Sequence, residues 1–290
     1  MSAGKEIRSK IKSVQNTQKI TRAMQMVATS KMRKTQERMR AARPYADNIR
    51  QVMAHLALTN PAAKSITPFL RNPSQIKRVG IIFISSDKGL CGGLNSNAIK
   101  LFYENMRQFK NKNIEVEVCT LGHKALNAAN RVKLDVVSSA IGLGDIPKMA
   151  QIIGPLSGLL TKFHDGTLDA VYVVYSHFVN TMKQQPMIEQ LLPLSDRDLK
   201  LENKLPWEYL YEPSPSEVLD ELIRRYIESV VYQCLADNMA SEQAARMIAM
   251  RSATDNAGEA INLLRLSYNK SRQAAITKEL AEIVAGSAAI

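Results

Sequence analysis

The chain opens on a hydrophobic spacing that alternates between four and three. Ile7, Val14, Thr21, Ala28, Thr35, Ala42, Ile49 and Leu56 form one series, and Ile11, Gln18, Gln25, Met32, Met39, Ala46 and Met53 form the other. Kept up for about seven heptads, this alternation predicts one long helix with a single seam. The seam has no Leu before Leu56 and includes Gln18, Thr21, Gln25 and Thr35, so it is more polar than a leucine zipper. Pro44 costs about 3 kcal/mol inside a helix, which predicts a kink or break near Arg43. The other end of the chain is also helical in rhythm. Leu219, Leu222, Ile223, Tyr226, Ile227, Val230, Val231, Cys234 and Leu235 make a broad apolar stripe. An alanine-rich stretch follows, and Ile261, Leu264, Tyr268, Ser271 and Ala275 continue the seam. Pro213 and Pro215 stand where such a helix would start. At 1.5 Å per residue, the segment from there onward is a rod of roughly 110 Å, with Gly258 a weak point within it.

The middle of the chain has a different rhythm. RVGIIFISS reads as a buried strand, IEVEVCTLG alternates like a strand, and LDAVYVVYSHFVN and QPMIEQLLPL are strands. Between them LNSNAIKLFYENMRQF, HKALNAANR and IPKMAQIIGPLSGLLTKFHDG read as helices, the last ended by Gly166. Alternation of strand and helix predicts an α/β domain of Rossmann-like wrap, mostly parallel with an added edge strand. Two long seams without local partners most simply pair with each other. The expected fold is therefore α/β: a long antiparallel coiled coil of the N- and C-terminal helices plus a central Rossmann-like α/β domain. The expected division is an N-terminal coiled-coil helix at 1–56, the α/β domain at 76–208 and a C-terminal coiled-coil helix at 213–290. Residues 57–75 and 209–212 are the linkers.

Composition narrows the classes. With 45% hydrophobic and 23% charged residues the chain is globular rather than disordered. No apolar run approaches the roughly 20 residues of a membrane span. The N-terminus has no apolar core of a secretory signal, and its heptad argues against a transit peptide. Cys91, Cys119 and Cys234 lie far apart, which argues against a disulfide framework or a zinc site and fits a reduced setting. His55, His123, His164 and His177 are isolated from one another in sequence, so no metal is expected. The net charge of +12 is concentrated: residues 1–56 hold thirteen Lys and Arg against three acids, whereas 213–290 hold eight against ten. A cluster of that kind marks a partner such as nucleic acid, anionic lipid or acidic protein loops.

SSDKGLCGGLN, residues 85–95, stands between a strand and a helix and raises the question of a phosphate cradle. A P-loop needs GxxxxGK[ST], but five residues beyond Gly89 stands Leu94, and Lys88 precedes the loop. GxGxxG fails too, because Cys91 follows Gly89 at the second position. Gly89, Gly92 and Gly93 then read as a structural turn, and Cys91 as a small buried thiol. Asp87, Asp145 and Asp165 form no acid/base constellation. No catalytic residue and no cofactor is expected.

Several stretches together resemble the gamma-subunit family of F-type ATP synthases, essentially end to end. IRSKIKSVQNTQKITRAMQMVATSKMRK is similar to the family's N-terminal helix, SSDKGLCGGLN to the loop after its first strand, and ITKELAEIVAGSAA to its C-terminal signature. SEQAARMIAMRSATDNA falls on the same C-terminal helix. The length, without a long insertion, resembles bacterial members. The regulatory segment with a cysteine pair of chloroplast members is missing, so thiol control of rotation is not expected.

The resemblance implies a central rotor stalk that rotates within a hexamer of three alpha and three beta subunits and couples proton flow through the c-ring to ATP synthesis or hydrolysis. It implies the epsilon subunit and the c-ring as further partners, no nucleotide or cofactor on this chain, and no catalysis by it alone. It implies a peripheral protein at the cytoplasmic face of the bacterial inner membrane, attached through the membrane sector. Met24, Gln25 and Val27 match positions that face the beta subunits, and Lys31, Arg33 and Lys34 a basic collar that meets acidic beta loops. Arg246, Arg272, Gln273, Thr277 and Glu279 match C-terminal positions that touch the hexamer bearing. Tyr209, Tyr211 and Glu212 resemble the foot on the c-ring and epsilon.

Two readings from other classes compete. A basic coiled coil could follow nucleic-acid phosphates, but the middle domain has no recognition motif and the basic helix no interleaved aromatics, so no nucleic acid is expected. An enzyme built on the glycine loop would bind ATP as a free chain.

Overall fold

The computed structural model describes residues 2–59, 67–70, 75–194 and 214–288, with Pro73 and Glu212 between them. Helix α1 spans Ser2–Thr59. A single 3-10 turn at Pro68–Leu70 precedes strand β1, Arg78–Ile84. Then come α2 (Leu94–Asn111), β2 (Glu115–Leu121), α3 (His123–Arg131), β3 (Asp135–Ala140) and α4 (Met149–His164). The order closes with β4 (Ala170–Phe178), β5 (Gln184–Leu192) and α5, which spans Pro215–Ala288. By its contacts the chain divides into two compact units: Met1–Thr29 with Arg246–Ile290, and Ser30–Ala245.

In the first unit the two terminal segments pair through the seam that the heptad predicts. Ile7, Ile11, Val14, Gln18, Thr21, Gln25 and Ala28 are all at least partly buried on α1, and most of the positions between them are exposed. The helices run antiparallel: Thr21 Oγ1 lies 2.7 Å from Thr254 Oγ1, while Gln18, earlier on α1, lies against both Thr254 and the later Gly258. Gln18 Nε2 donates to the Thr254 carbonyl at 3.3 Å. A Cβ at Gly258 would stand 3.1 Å from that nitrogen, so the glycine that looks like a weak point in sequence makes room for the cross-helix bond. The seam of α5 ends at Ser271; from Arg272 to Val284 every residue is exposed. Ala275, expected to continue the seam, is therefore outside it. The register that sets Gln18 and Thr21 against Thr254 brings Ile7 level with about position 268, and the described part of α1 offers nothing opposite Ala275.

The second unit is built on a five-stranded sheet of order β3-β2-β1-β4-β5. β1 pairs in parallel with β2 and β4, and β3 pairs in parallel with β2. β5 is the antiparallel edge strand. β1 is apolar on both faces, as a central parallel strand must be. Val79, Ile81 and Phe83 enter one core with Phe102 of α2 and Ala125, Ala128 and Ala129 of α3. Phe83 and Phe102 stack with ring centroids 4.5 Å apart. Ile82 and Ile84 enter the other core, with Leu156, Leu159 and Phe163 of α4. That second core also takes in Ile49, Met53 and Leu56 of α1 and Leu219, Ile223 and Ile227 of α5. The sheet's second face is thus covered by three helices.

Two local expectations change. α1 continues through Pro44 without the break expected near Arg43. The missing N–H of Pro44 weakens one turn, but Thr35 before it and Ile49, Met53 and Leu56 after it are buried and hold the helix on both sides. β3 (DVVSSA) escapes the periodicity, because an edge strand with two serines and only partial burial carries little hydrophobic signal. Among the described residues, no helix is long and apolar enough to cross a membrane.

Candidate functional site

In a doubly wound sheet a ligand enters the crevice at the carboxyl ends of the two strands where the winding reverses. Here those strands are β1 and β4, since β2 and β3 lie on one side of β1 and β4 and β5 on the other. The glycine loop is at that end of β1. Of its glycines, Gly92 takes a left-handed φ of 57°, as does Leu90 at 64°, while Gly93 caps α2 at φ −84° without a side-chain hydrogen bond. Nothing crowds Gly89.

The polar groups of the loop are turned inward. Asn95 Nδ2 donates to Ser86 Oγ at 2.7 Å, and Ser86 N donates to Asn95 Oδ1 at 3.3 Å. The same amide reaches Cys91 Sγ at 3.1 Å, and Cys91 is 2% exposed beside Leu94 and Ala245.

The loop also caps a second helix. The N-cap of α3 is Gly122, which has no side chain to offer. Ser85 Oγ accepts from Ala125 N at 2.7 Å, and Asp87 Oδ1 accepts from His123 N at 3.0 Å. The other oxygen of Asp87 accepts from Gly142 N at 3.0 Å. A helix N-terminus favours an anion. At α3 that anion is the chain's own Asp87 carboxylate, which also ties the β1 and β3 loops together.

The crevice itself is filled by α5. Ser176 of β4 donates its N–H to Asn238 Oδ1 at 3.2 Å, and Ser241 Oγ donates to the Ser176 carbonyl at 2.9 Å. His177 Nδ1 meets Asp237 Oδ2 at 2.6 Å, a pairing across 60 residues that sequence spacing does not reveal. Cys119 and Cys234 are buried, and burial pushes the Cys119 thiol up to about 11 and the Cys234 thiol higher still. Neither is a poised nucleophile. Among the described residues, no group of His, Cys, Asp and Glu is arranged to hold a metal.

The residues matched by resemblance lie along the two long helices. In the first unit, Gln25 is half-buried in the seam, Met24 is half-buried beside it, and Val27 is 54% exposed. Arg246 is half-buried, while Arg272, Gln273, Thr277 and Glu279 lie on the exposed part of α5. In the second unit, Arg33 and Lys34 are exposed. Lys31 is not free: its Nζ reaches Asp145 Oδ1 at 2.9 Å and Oδ2 at 2.8 Å. Glu212 is exposed, and Tyr209 and Tyr211 lie outside the described residues. The sequence gives no sign of Asp145 or of Arg38, which donates to the Asp145 carbonyl at 2.6 Å, because their approach is set by a loop more than a hundred residues away.

A family model described as ATP synthase matches residues 3–290. The ATP synthase gamma chain of Chromobacterium violaceum is 62% identical over 290 residues, covering 100% of both chains. That of Laribacter hongkongensis is 59% identical with the same coverage, and that of Neisseria meningitidis serogroup C is 58% identical over 293 residues, again covering 100% of both. The chain belongs to the ATP synthase gamma-chain family. Among solved structures, the central stalk and c-ring assembly of the Tetrahymena thermophila mitochondrial ATP synthase holds a chain 26% identical, with a TM-score of 0.62 over 81% of this chain and 99% of that one. A chain of the Euglena gracilis mitochondrial ATP synthase in rotational state 3 shares the fold, with a TM-score of 0.70 at 18% identity over 99% of this chain and 94% of that one. Membership in the gamma-chain family makes this chain a subunit of an ATP synthase, and the glycine loop is an internal fastening of its α/β unit.

Proposed function

We propose that the chain is the central rotating shaft of a bacterial F-type ATP synthase. Its paired terminal helices turn inside a hexamer of three alpha and three beta subunits, and its α/β unit stands toward epsilon and the c-ring. Rotation driven by proton flow through the c-ring is passed to the beta subunits, and the reverse path carries ATP hydrolysis to proton pumping. The chain catalyses no reaction alone. It works as a peripheral protein on the cytoplasmic face of the inner membrane. In functional terms it divides into the 1–56 and 213–290 shaft helices and the 76–208 α/β domain, with 57–75 and 209–212 as linkers.

The observation that carries this reading is the paired-helix unit. A shaft needs length and asymmetry rather than a pocket. The seam here is made of Gln18, Thr21, Ala28, Thr254 and Gly258, whose small or polar side chains let the helices approach closely. The filled crevice between β1 and β4 argues in the same direction, because α5 stands where a nucleotide would enter.

Torque passes as steric and electrostatic push between this shaft and three beta subunits in different states. Met24, Gln25 and Val27 on α1, and Arg246, Arg272, Gln273, Thr277 and Glu279 on α5, supply the contacts in the bore. Lys31, Arg33 and Lys34 form the collar that meets acidic beta loops, and Tyr209, Tyr211 and Glu212 form the foot on the c-ring and epsilon. Every collar contact forms and breaks once per turn at each subunit, so each is weak, about 0–1 kcal/mol when exposed. Reversing the two exposed collar charges, Arg33→Glu with Lys34→Glu, puts like charges together. The assembled enzyme is expected to keep ATP hydrolysis in membrane vesicles but to pump fewer protons per ATP than wild type. An unchanged pumping-to-hydrolysis ratio in fully assembled enzyme would remove the collar from the force path.

A further inference from the structure

The loop between β3 and α4 reaches back to α1. Its tip, Gly144–Asp145–Ile146, is exposed and held between buried Leu143 and buried Pro147. Gly142 and Gly144 both have φ +69°, a conformation that favours glycine. Gly142 N is fixed by Asp87, so the base of the loop is anchored to the loop after β1. The tip delivers one residue to α1: the Asp145 carboxylate meets Lys31 Nζ through both oxygens, and the Asp145 carbonyl accepts from Arg38. Lys31 and Arg38 are seven residues apart and therefore share one helix face. Arg33 and Lys34 stand exposed between them in sequence.

We propose that Lys31 and Arg38 form an acid-binding site: in the free chain the Asp145 carboxylate occupies Lys31 and the Asp145 main-chain carbonyl occupies Arg38, and an acidic segment of a partner subunit takes both over. The proposal deepens the collar reading and rests on it. The clasp is suited to exchange. The side chains of Lys31 and Asp145 remain 40% and 59% exposed, so solvent screens the pair and holds it weakly. Replacing one carboxylate by another conserves the charge pairing. A partner segment with several acids gains further attraction from Arg33 and Lys34, which a single Asp145 does not supply. The loop therefore acts as a placeholder that keeps the site from binding stray anions and sets how strongly a partner must pull.

The test measures equilibrium binding of full-length chain to immobilised hexamer of three alpha and three beta subunits from the same synthase, at low ionic strength. Asp145→Asn removes the competing charge and is expected to tighten binding about three- to fivefold, the range set by one partly exposed ion pair. Lys31→Gln is expected to weaken it by a similar factor, and the double variant to match Lys31→Gln alone. Asp145→Glu keeps the carboxylate and is expected to bind like wild type. If Asp145→Asn binds no more tightly than wild type while Lys31→Gln binds more weakly, Asp145 does not hold the partner's place, and the proposal is overturned with the collar intact. If Lys31→Gln binds as wild type does, Lys31 holds no partner carboxylate and the proposal is overturned, while the part of Arg33 and Lys34 in the collar is read separately from their charge reversal.

Discussion

Gly122 shows at a single residue why the glycine loop has the composition it has. Its φ is +106°, and a Cβ there would stand 2.3 Å from the Ser85 carbonyl oxygen. Close approach of the β1 and β2 loops is what lets Ser85 and Asp87 cap α3 from a neighbouring strand. Gly122→Ala imposes both a strained backbone and a clash with fixed backbone, and it displaces two capping bonds. It is expected to destabilise the second unit by about 3 kcal/mol or more, read as a lower urea midpoint at unchanged slope. A loss below about 1 kcal/mol would mean that the loops move apart freely. The residues that look like a phosphate cradle, Ser85, Ser86, Asp87 and Asn95, thus spend their hydrogen bonds on the chain itself.

At the scale of elements, the two terminal segments depend on each other. The seam of α1 in the first unit is polar, and the helix around it is strongly basic, so little holds it helical apart from its partner. Removing residues 246–290 is expected to lower the far-ultraviolet helix signal by more than the share of the deleted residues. A strictly proportional loss would show that residues 1–29 stay helical alone. The helices were the most legible part of the sequence, since a seam repeated every seven residues leaves a periodic trace even where it is Gln and Thr. β1 and β4 were legible because a central parallel strand is a nearly continuous apolar run, and β2 because its first residues alternate. β3 was not, being half-exposed and partly serine. Nor was the unbroken course of α1 through Pro44, which is decided by burial of Ile49, Met53 and Leu56 against residues far away in sequence. The candidate site divides the same way. That the glycine loop lacks a phosphate-reaching lysine can be read directly, whereas the Asp87 cap, the Asn238 and Ser241 plug and the Asp145 clasp need the fold to bring them together.

For the whole molecule the proposed motion is rotation, and the buried cysteines leave a clean way to observe it. Cys91, Cys119 and Cys234 are all buried, and burial raises the thiols of Cys119 and Cys234, so a thiol introduced on the surface reacts selectively. Met182, in the turn between β4 and β5, is 79% exposed. A biotin placed on Met182→Cys can carry a bead while the hexamer of alpha and beta subunits is fixed to glass. On adding ATP, the bead is expected to rotate in one direction, with three dwells per turn at limiting ATP, one for each beta subunit. A bead that stays still while the same assemblies hydrolyse ATP would show that this chain is not a rotating shaft.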